Sequence, residues 1–165
     1  MKDFLVKKVS VILPNYNYAK YLKKRIDSIL KQTYPIYELI ILDDCSTDGS
    51  VQIIENEIEQ IKTSKPEFNV SFVKNEQNSG KAMAQWKKGV EMAKGDFVWI
   101  AEADDLAKKT FLEETMQAFE DDDVMLSYCE SEIINSIGIT LAPNFRWSRD
   151  KERTGHRSEE RRVGA

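Results

Sequence analysis

Asp104 and Asp105 are adjacent carboxylates, and Glu102 stands two residues before Asp104. Neighbouring ionised carboxylates repel each other, and a cation relieves that repulsion. An all-oxygen set suits Mg²⁺ or Mn²⁺, which take one or two carboxylates and complete their shell with water and substrate phosphates. The competing reading is an acidic turn that caps a helix starting near Lys108. Asp43-Asp44 pose the same choice, with a helix starting near Ser50 as the structural alternative. Two such pairs in one chain suggest one crevice that handles a polar ligand together with a cation.

Other residues fit a ligand of that kind. In Pro14-Asn15-Tyr16-Asn17, the Tyr16 ring can stack on a base or sugar, or be an ordinary loop tyrosine. Lys81, after Asn78-Ser79-Gly80, puts a positive charge near a helix start, suited to a phosphate or simply solvated. Neither GxGxxG nor GxxxxGK[ST] occurs, so dinucleotide and P-loop sites lack their fingerprints. Cys45 reads as a small spacer and Asp121-Asp122-Asp123 as a solvated surface turn.

The acidic pairs need elements to hold them. Val9–Leu13 is a short β-branched run stopped by Pro14, hence a buried strand. Leu22, Ile26, Ile29 and Leu30 share one helix face. Tyr37–Leu42 is a second strand that delivers Asp43-Asp44 at its end. Val51, Ile54, Ile58 and Ile61 mark a second helix, and Val70, Phe72 and Val73 a third strand. Met83, Trp86, Val90 and Ala93 predict the inward stripe of a third helix, ended by Gly95. Phe97–Ala101 is a fourth strand running into Glu102 and Asp104-Asp105, and strand alternation puts Glu102 and Asp104 on one side. Leu112, Met116 and Phe119 mark a fourth helix, Val124–Cys129 a fifth strand, and Asn135–Gly138 a hairpin turn. This alternation predicts an α/β fold: a three-layer α/β/α sandwich around a mostly parallel sheet, with ligands at the carboxyl ends of its strands.

Composition narrows the field. The 165 residues carry 24 Lys+Arg against 28 Asp+Glu, a net charge of −4. That balance disfavours a nucleic-acid partner, which needs a basic face. No apolar run approaches the ~18 residues of a membrane span, and the N-terminus lacks a signal-peptide core. Two cysteines and one histidine, His156, make no disulfide framework, zinc site or His-based triad. The expectation is a reduced, cytoplasmic chain. It can work against a membrane surface as a peripheral protein, but has no anchor of its own.

Taken in order, the motifs resemble the family 2 glycosyltransferases of the GT-A fold. The matching pieces are Val9–Asn17, Ser28–Tyr34, Glu38–Asp48, Asn78-Ser79-Gly80 and Gly95–Asp105, and the likeness runs over about residues 8–130. The resemblance implies an inverting transferase that moves a sugar from a nucleotide-diphosphate donor, commonly UDP-linked, to a hydroxyl of a glycan or lipid-linked acceptor. It implies that Pro14 and Tyr16 line the base pocket and that Asp44, beside Asp43, hydrogen-bonds the base. Lys81 approaches the base or phosphates, Asp104 the ribose, and Asp105 ligates a divalent cation, Mn²⁺ or Mg²⁺. Polysaccharide or cell-surface glycan synthesis is the family's common setting.

The chain departs from the family pattern in two places. The acid two residues before the pair is Glu102, where the family usually has Asp. The general base lies in a downstream acceptor half that the sequence does not display, so no catalytic residue is assigned. Residues 1–150 are expected to form the donor-binding part, and 151–165 a charged tail, disordered or foreign, on a truncated chain. Glu159-Glu160 in that tail are not promoted to a general base. A non-catalytic nucleotide-sugar-binding fragment is therefore the main alternative. A sugar nucleotidyltransferase is disfavoured, because the loop after the first strand has no Gly-rich basic stretch. A receiver-like signalling module is disfavoured too, because no acid follows the first strand.

Overall fold

The structure is a computed structural model that describes residues 6–145. The expected charged segment 151–165, with His156 and Glu159-Glu160, lies outside the described residues. The chain divides into two compact units, Met1–Thr110 and Phe111–Ala165.

The first unit holds four parallel strands: β1 (Val9–Asn15), β2 (Ile36–Asp43), β3 (Asn69–Lys74) and β4 (Phe97–Ile100), in the order β3-β2-β1-β4. Helices α1 (Ala19–Leu30), α2 (Ser50–Ser64) and α3 (Ala82–Met92) make the crossovers. The chain moves outward through β2 and β3, then returns to the far side of β1. Right-handed crossovers therefore put α1 and α2 on one face and α3 on the other. α1 packs on α2, and α3 packs on β1 and β2.

β1 and β2 are buried along nearly their whole length, as expected of central parallel strands covered on both faces. Val11, Leu13, Leu39 and Ile41 have no exposed surface, nor do Leu22, Ile26 and Ile29 of α1. Ile12, Ile40 and Leu42 form a core cluster with Val73, Met92, Ala93 and Ile100 around it.

Three sequence expectations need correction. Pro14 does not stop β1; it pairs in register with Leu42, and the strand runs on to Asn15. The inward stripe of α3 is not Met83 and Val90, which are 65% and 50% exposed. The helix buries Gln85 and Gly89 instead. A glycine there lets α3 sit directly on Ile12, whose side chain occupies the space a Cβ would need. Val124–Cys129 forms no strand, and Met125 is 81% exposed. An apolar run reports a tendency to bury, but a strand also needs a partner for its backbone groups.

The second unit contains a short helix, α4 (Phe111–Met116), continued by a 3-10 turn at Gln117–Glu120. Leu112, Met116 and Phe119 are buried, as their spacing predicts. Asp121–Asp123 are exposed. Strands β5 (Ser131–Ile134) and β6 (Thr140–Phe145) pair antiparallel as a hairpin. Its turn is at the expected place: the Gly138 N–H donates to Asn135 O at 2.9 Å, and Gly138 has φ +92°.

Candidate functional site

The direction of connection reverses at β1, between β2 on one side and β4 on the other. In open α/β sheets the crevice outside the carboxyl ends of the strands at such a point is where ligands bind. The loops after β1, β2 and β4 border it, and they carry most of the residues singled out from sequence.

The β1 and β2 loops are latched together through Asp43. This carboxylate is fully buried and accepts from Asn15 Nδ2 (2.7 Å), Ser46 Oγ (2.6 Å) and Ser46 N (2.9 Å). The latch continues outward, with Asn17 Oδ1 accepting from Thr47 N at 2.8 Å. Asn17 and Cys45 sit at φ +60° and +64°, a left-handed conformation that turns the chain sharply at both strand ends. Asp48, rather than Asp43 or Asp44, serves the helix starts. It accepts from Ser50 N at the start of α2 (2.9 Å) and from Ala19 N at the start of α1 (3.0 Å).

Asp44 points the other way, toward α3. It is buried and accepts from Asn75 Nδ2 (2.7 Å), Ser79 Oγ (2.7 Å), Ser79 N (3.0 Å) and Gln85 Nε2 (2.8 Å). Burial opposes its charge, but the bonds from Ser79 and Asn75 outweigh that and hold the carboxyl below its ordinary range. These donors fill the roughly four lone-pair sites of a carboxylate. A ligand N–H can reach Asp44 only by exchange with one of them. Ser79 and Gln85 also bond each other at 3.3 Å, so they can re-pair.

β4 ends at Ile100, so the acidic loop lies beyond the strand itself, and Glu102 and Asp104 both act electrostatically on Tyr18 and Arg25. Glu102 is part-buried and accepts from Trp86 Nε1 of α3 at 2.6 Å. Burial raises its pKa; Trp86 opposes this, and Asp104 and Asp105 add to it. Asp104 is exposed and faces Tyr18 of the β1 loop, whose phenol its charge holds above the ordinary value. Asp105 is also at the surface, but over a packed floor that raises its pKa. Arg25 opposes that rise and Asp104 reinforces it.

The remaining sequence candidates are less tied in. Pro14 is buried in β1, while Tyr16 is 45% exposed at the lip of the crevice. Lys81 caps α3 with extended backbone, and its ammonium makes no contact with either acidic pair among the described residues. The Cys45 Sγ donates to Glu76 O at 3.5 Å. Sequence reasoning missed Tyr18, Trp86 and Arg25. Arg25 was detectable: Leu22, Arg25, Ile26 and Ile29 follow one helix stripe, and a cation on an apolar stripe is a signal in itself.

The residues fit a divalent cation. Asp104 and Asp105 both disfavour the charge of Glu102, and Asp104 disfavours that of Asp105, which is the electrostatic condition a cation relieves. Among the described residues, no group of three or more His, Cys, Asp or Glu is arranged to enclose an ion. Mg²⁺ and Mn²⁺ need no such group when phosphate oxygens complete the shell.

A parallel sheet in this order, helices on both faces, and an acidic loop at the carboxyl end of β4 define the GT-A type of fold. The glycosyl transferase family 2 profile matches residues 10–163, and the chain belongs to that family. Among its relatives is the Bacillus subtilis protein named as a teichuronic acid biosynthesis glycosyltransferase, TuaG. It is 38% identical over 109 residues, covering 66% of this chain and 40% of the relative. The structure of Staphylococcus aureus TarS with UDP-GlcNAc superposes with a TM-score of 0.60 at 31% identity, over 69% of this chain and 31% of that one. A mannosyltransferase from Pyrobaculum calidifontis, in complex with GDP-Man and Mn²⁺, gives a TM-score of 0.64 at 27% identity, over 76% and 36%. The chain thus spans about two fifths or less of the length of these proteins.

Proposed function

We propose that this chain forms the donor-binding part of an inverting glycosyltransferase. The donor is a nucleotide-diphosphate sugar, UDP-linked, and the acceptor a hydroxyl of a polysaccharide or cell-surface glycan. The observation that carries the reading is the meeting of Asp104 with Tyr18 at the switch point of the sheet, with Asp105 beside it, in a family 2 chain. Relatives crystallised with UDP, UDP-GlcNAc and GDP-Man support the donor class. Relatives named for teichuronic acid synthesis and for poly(ribitol-phosphate) glycosylation support the acceptor class.

In this reading Pro14 and Tyr16 form one wall of the base pocket. Asp44 meets the base by exchange with Ser79 or Gln85, and buried Asp43 acts through the loops it holds. Lys81 is free to swing toward the base or the phosphates. Asp104 meets the ribose, and Asp105, with Asp104 beside it, would hold Mn²⁺ or Mg²⁺. When bound, such a cation stabilises negative charge growing on the diphosphate. In an inverting transfer the acceptor oxygen attacks the anomeric carbon opposite the diphosphate. The carbon–oxygen bond to the diphosphate breaks, and the acceptor proton passes to a base. No residue here is given the role of that base.

Thermal unfolding with UDP or GDP, each with and without Mn²⁺, tests the reading. A ligand at 100 times its dissociation constant adds about 2.7 kcal/mol. The expected result is stabilisation by UDP that Mn²⁺ strengthens and Asp105→Ala removes. Cooperative unfolding with no shift from either nucleotide refutes it. Binding without any turnover supports the non-catalytic alternative.

A further inference from the structure

Arg25 has an unusual position for a cation. It lies on the inward stripe of α1 between Leu22 and Ile26, and it is only 3% exposed. Its guanidinium carbon is 5.2 Å from the centroid of the Trp99 ring of β4. Its Nε is buried and has no hydrogen-bond partner among the described residues. Taking a charge out of water costs several kcal/mol unless other charges offset it, and one aromatic face offsets only part. The compensating charges are Asp105, Glu102 and Asp104, in that order of influence on Arg25. All three follow directly on the strand that carries Trp99. Burial lowers the Arg25 pKa to about 10, so the group stays charged at neutral pH.

We propose that Arg25 is a positioning residue: a fixed counter-charge under the acidic loop that holds Glu102, Asp104 and Asp105 together before a donor arrives and keeps them from binding a divalent cation tightly on their own. This rests on the donor-site reading above and extends it. A loop whose negative charge is partly offset from below has less affinity for bare Mn²⁺ and binds it well only when a diphosphate supplies further negative oxygens. Arg25 thereby couples metal binding to nucleotide binding, without touching either.

The test compares the wild-type chain, Arg25→Met, Arg25→Lys and Asp105→Asn. Mn²⁺ alone is titrated by loss of the free-ion paramagnetic resonance signal and by thermal unfolding. Arg25→Met is expected to bind bare Mn²⁺ about tenfold more tightly than wild type, as for removal of one nearby like charge at intermediate dielectric. Its Mn²⁺-induced thermal shift should exceed that of wild type, and Arg25→Lys should behave like wild type. If Arg25→Met unfolds without metal, Mn²⁺ should restore folding, because the ion takes over the missing charge. Asp105→Asn should abolish the Mn²⁺ response. Unchanged Mn²⁺ affinity in a folded Arg25→Met overturns the proposal, as does an unfolded Arg25→Met that Mn²⁺ does not rescue. Either result would make Arg25 a packing residue. Failure of the donor-site reading has a different signature, the lack of any UDP response in wild type, and leaves the Mn²⁺ comparison readable.

Discussion

At the scale of single residues, the two acidic pairs look alike in sequence and behave oppositely in the fold. Asp44 is held below the usual carboxylate range by donors that outweigh its burial, so its charge stabilises the native state. That contribution is complete above the unfolded value near 3.9, and is lost as pH falls through the lower folded value. Asp44→Asn turns an acceptor into a donor facing Asn75, Ser79 and Gln85, at an expected cost of about 2 kcal/mol. In urea unfolding the gap between variant and wild type should stay flat from pH 8 to 5 and close below about pH 4. A gap that widens toward acid would contradict the assignment. Glu102 and Asp105 carry the opposite sign. Their raised values mean that the metal-free fold loses stability as pH rises from the ordinary carboxylate range through the folded values. The sequence showed where the carboxylates are, because adjacent acids at a strand end are a local pattern. It did not show their partners, because Ser79 and Gln85 reach Asp44 from 35 and 41 residues away.

At the scale of elements, the strands and crossover helices of the first unit follow from hydrophobic period and punctuation. The orientation of α3 does not. Its Met83-Trp86-Val90 stripe has the larger apolar content, yet the helix turns toward Gln85 and Gly89. Two long-range constraints outweigh the stripe: the Gln85 bond to Asp44, and the close approach of Ile12 to Gly89. Both need the partner strand in place before they mean anything, so a local pattern cannot encode them. Gly89→Ala separates the two effects. Helix propensity alone favours alanine by up to about 1 kcal/mol, but the added methyl meets a fully buried side chain on a central strand. The expected outcome is a net loss of about 1–3 kcal/mol from overpacking, read as a lower denaturant midpoint with an unchanged slope. Gly95 tests the same idea against backbone. A Cβ there falls 2.7 Å from Lys8 O and 2.8 Å from Ser10 Oγ. Ser10 is already committed, since it donates to buried Glu38 at 2.6 Å and accepts from Gly95 N at 2.8 Å. Gly95→Ala should therefore cost more than Gly89→Ala, because a backbone carbonyl cannot rotate away as an isoleucine can.

At the scale of the whole molecule, the site is built from loops while its rigidity comes from β1 and β2. These two strands contribute most of the fully buried side chains, and every loop of the crevice is anchored to them or to β4. Amide protection should follow that hierarchy. Central-strand amides can exchange only when the sheet opens, so Val11, Leu13, Leu39 and Ile41 should report the global unfolding free energy. The β5–β6 hairpin stands at the other extreme, with Ile133 and Leu141 both exposed and a ladder that shifts register twice. A two-stranded hairpin is marginal without a buried face, so its amides should exchange through local opening with little protection. The loops at the crevice should fall between these limits and move selectively on ligation. Asn75 and Ser79 are tied to Asp44, and Tyr18 faces Asp104, so UDP with Mn²⁺ should slow exchange around residues 16–18, 75–81 and 102–105. The central strands should gain only the global increment. Hydrogen exchange read by mass spectrometry measures all three classes in one experiment. Protection confined to the β5–β6 hairpin on adding UDP and Mn²⁺ would place the ligand elsewhere. Protection at the three loops together would show that the switch point of the sheet works as one binding surface.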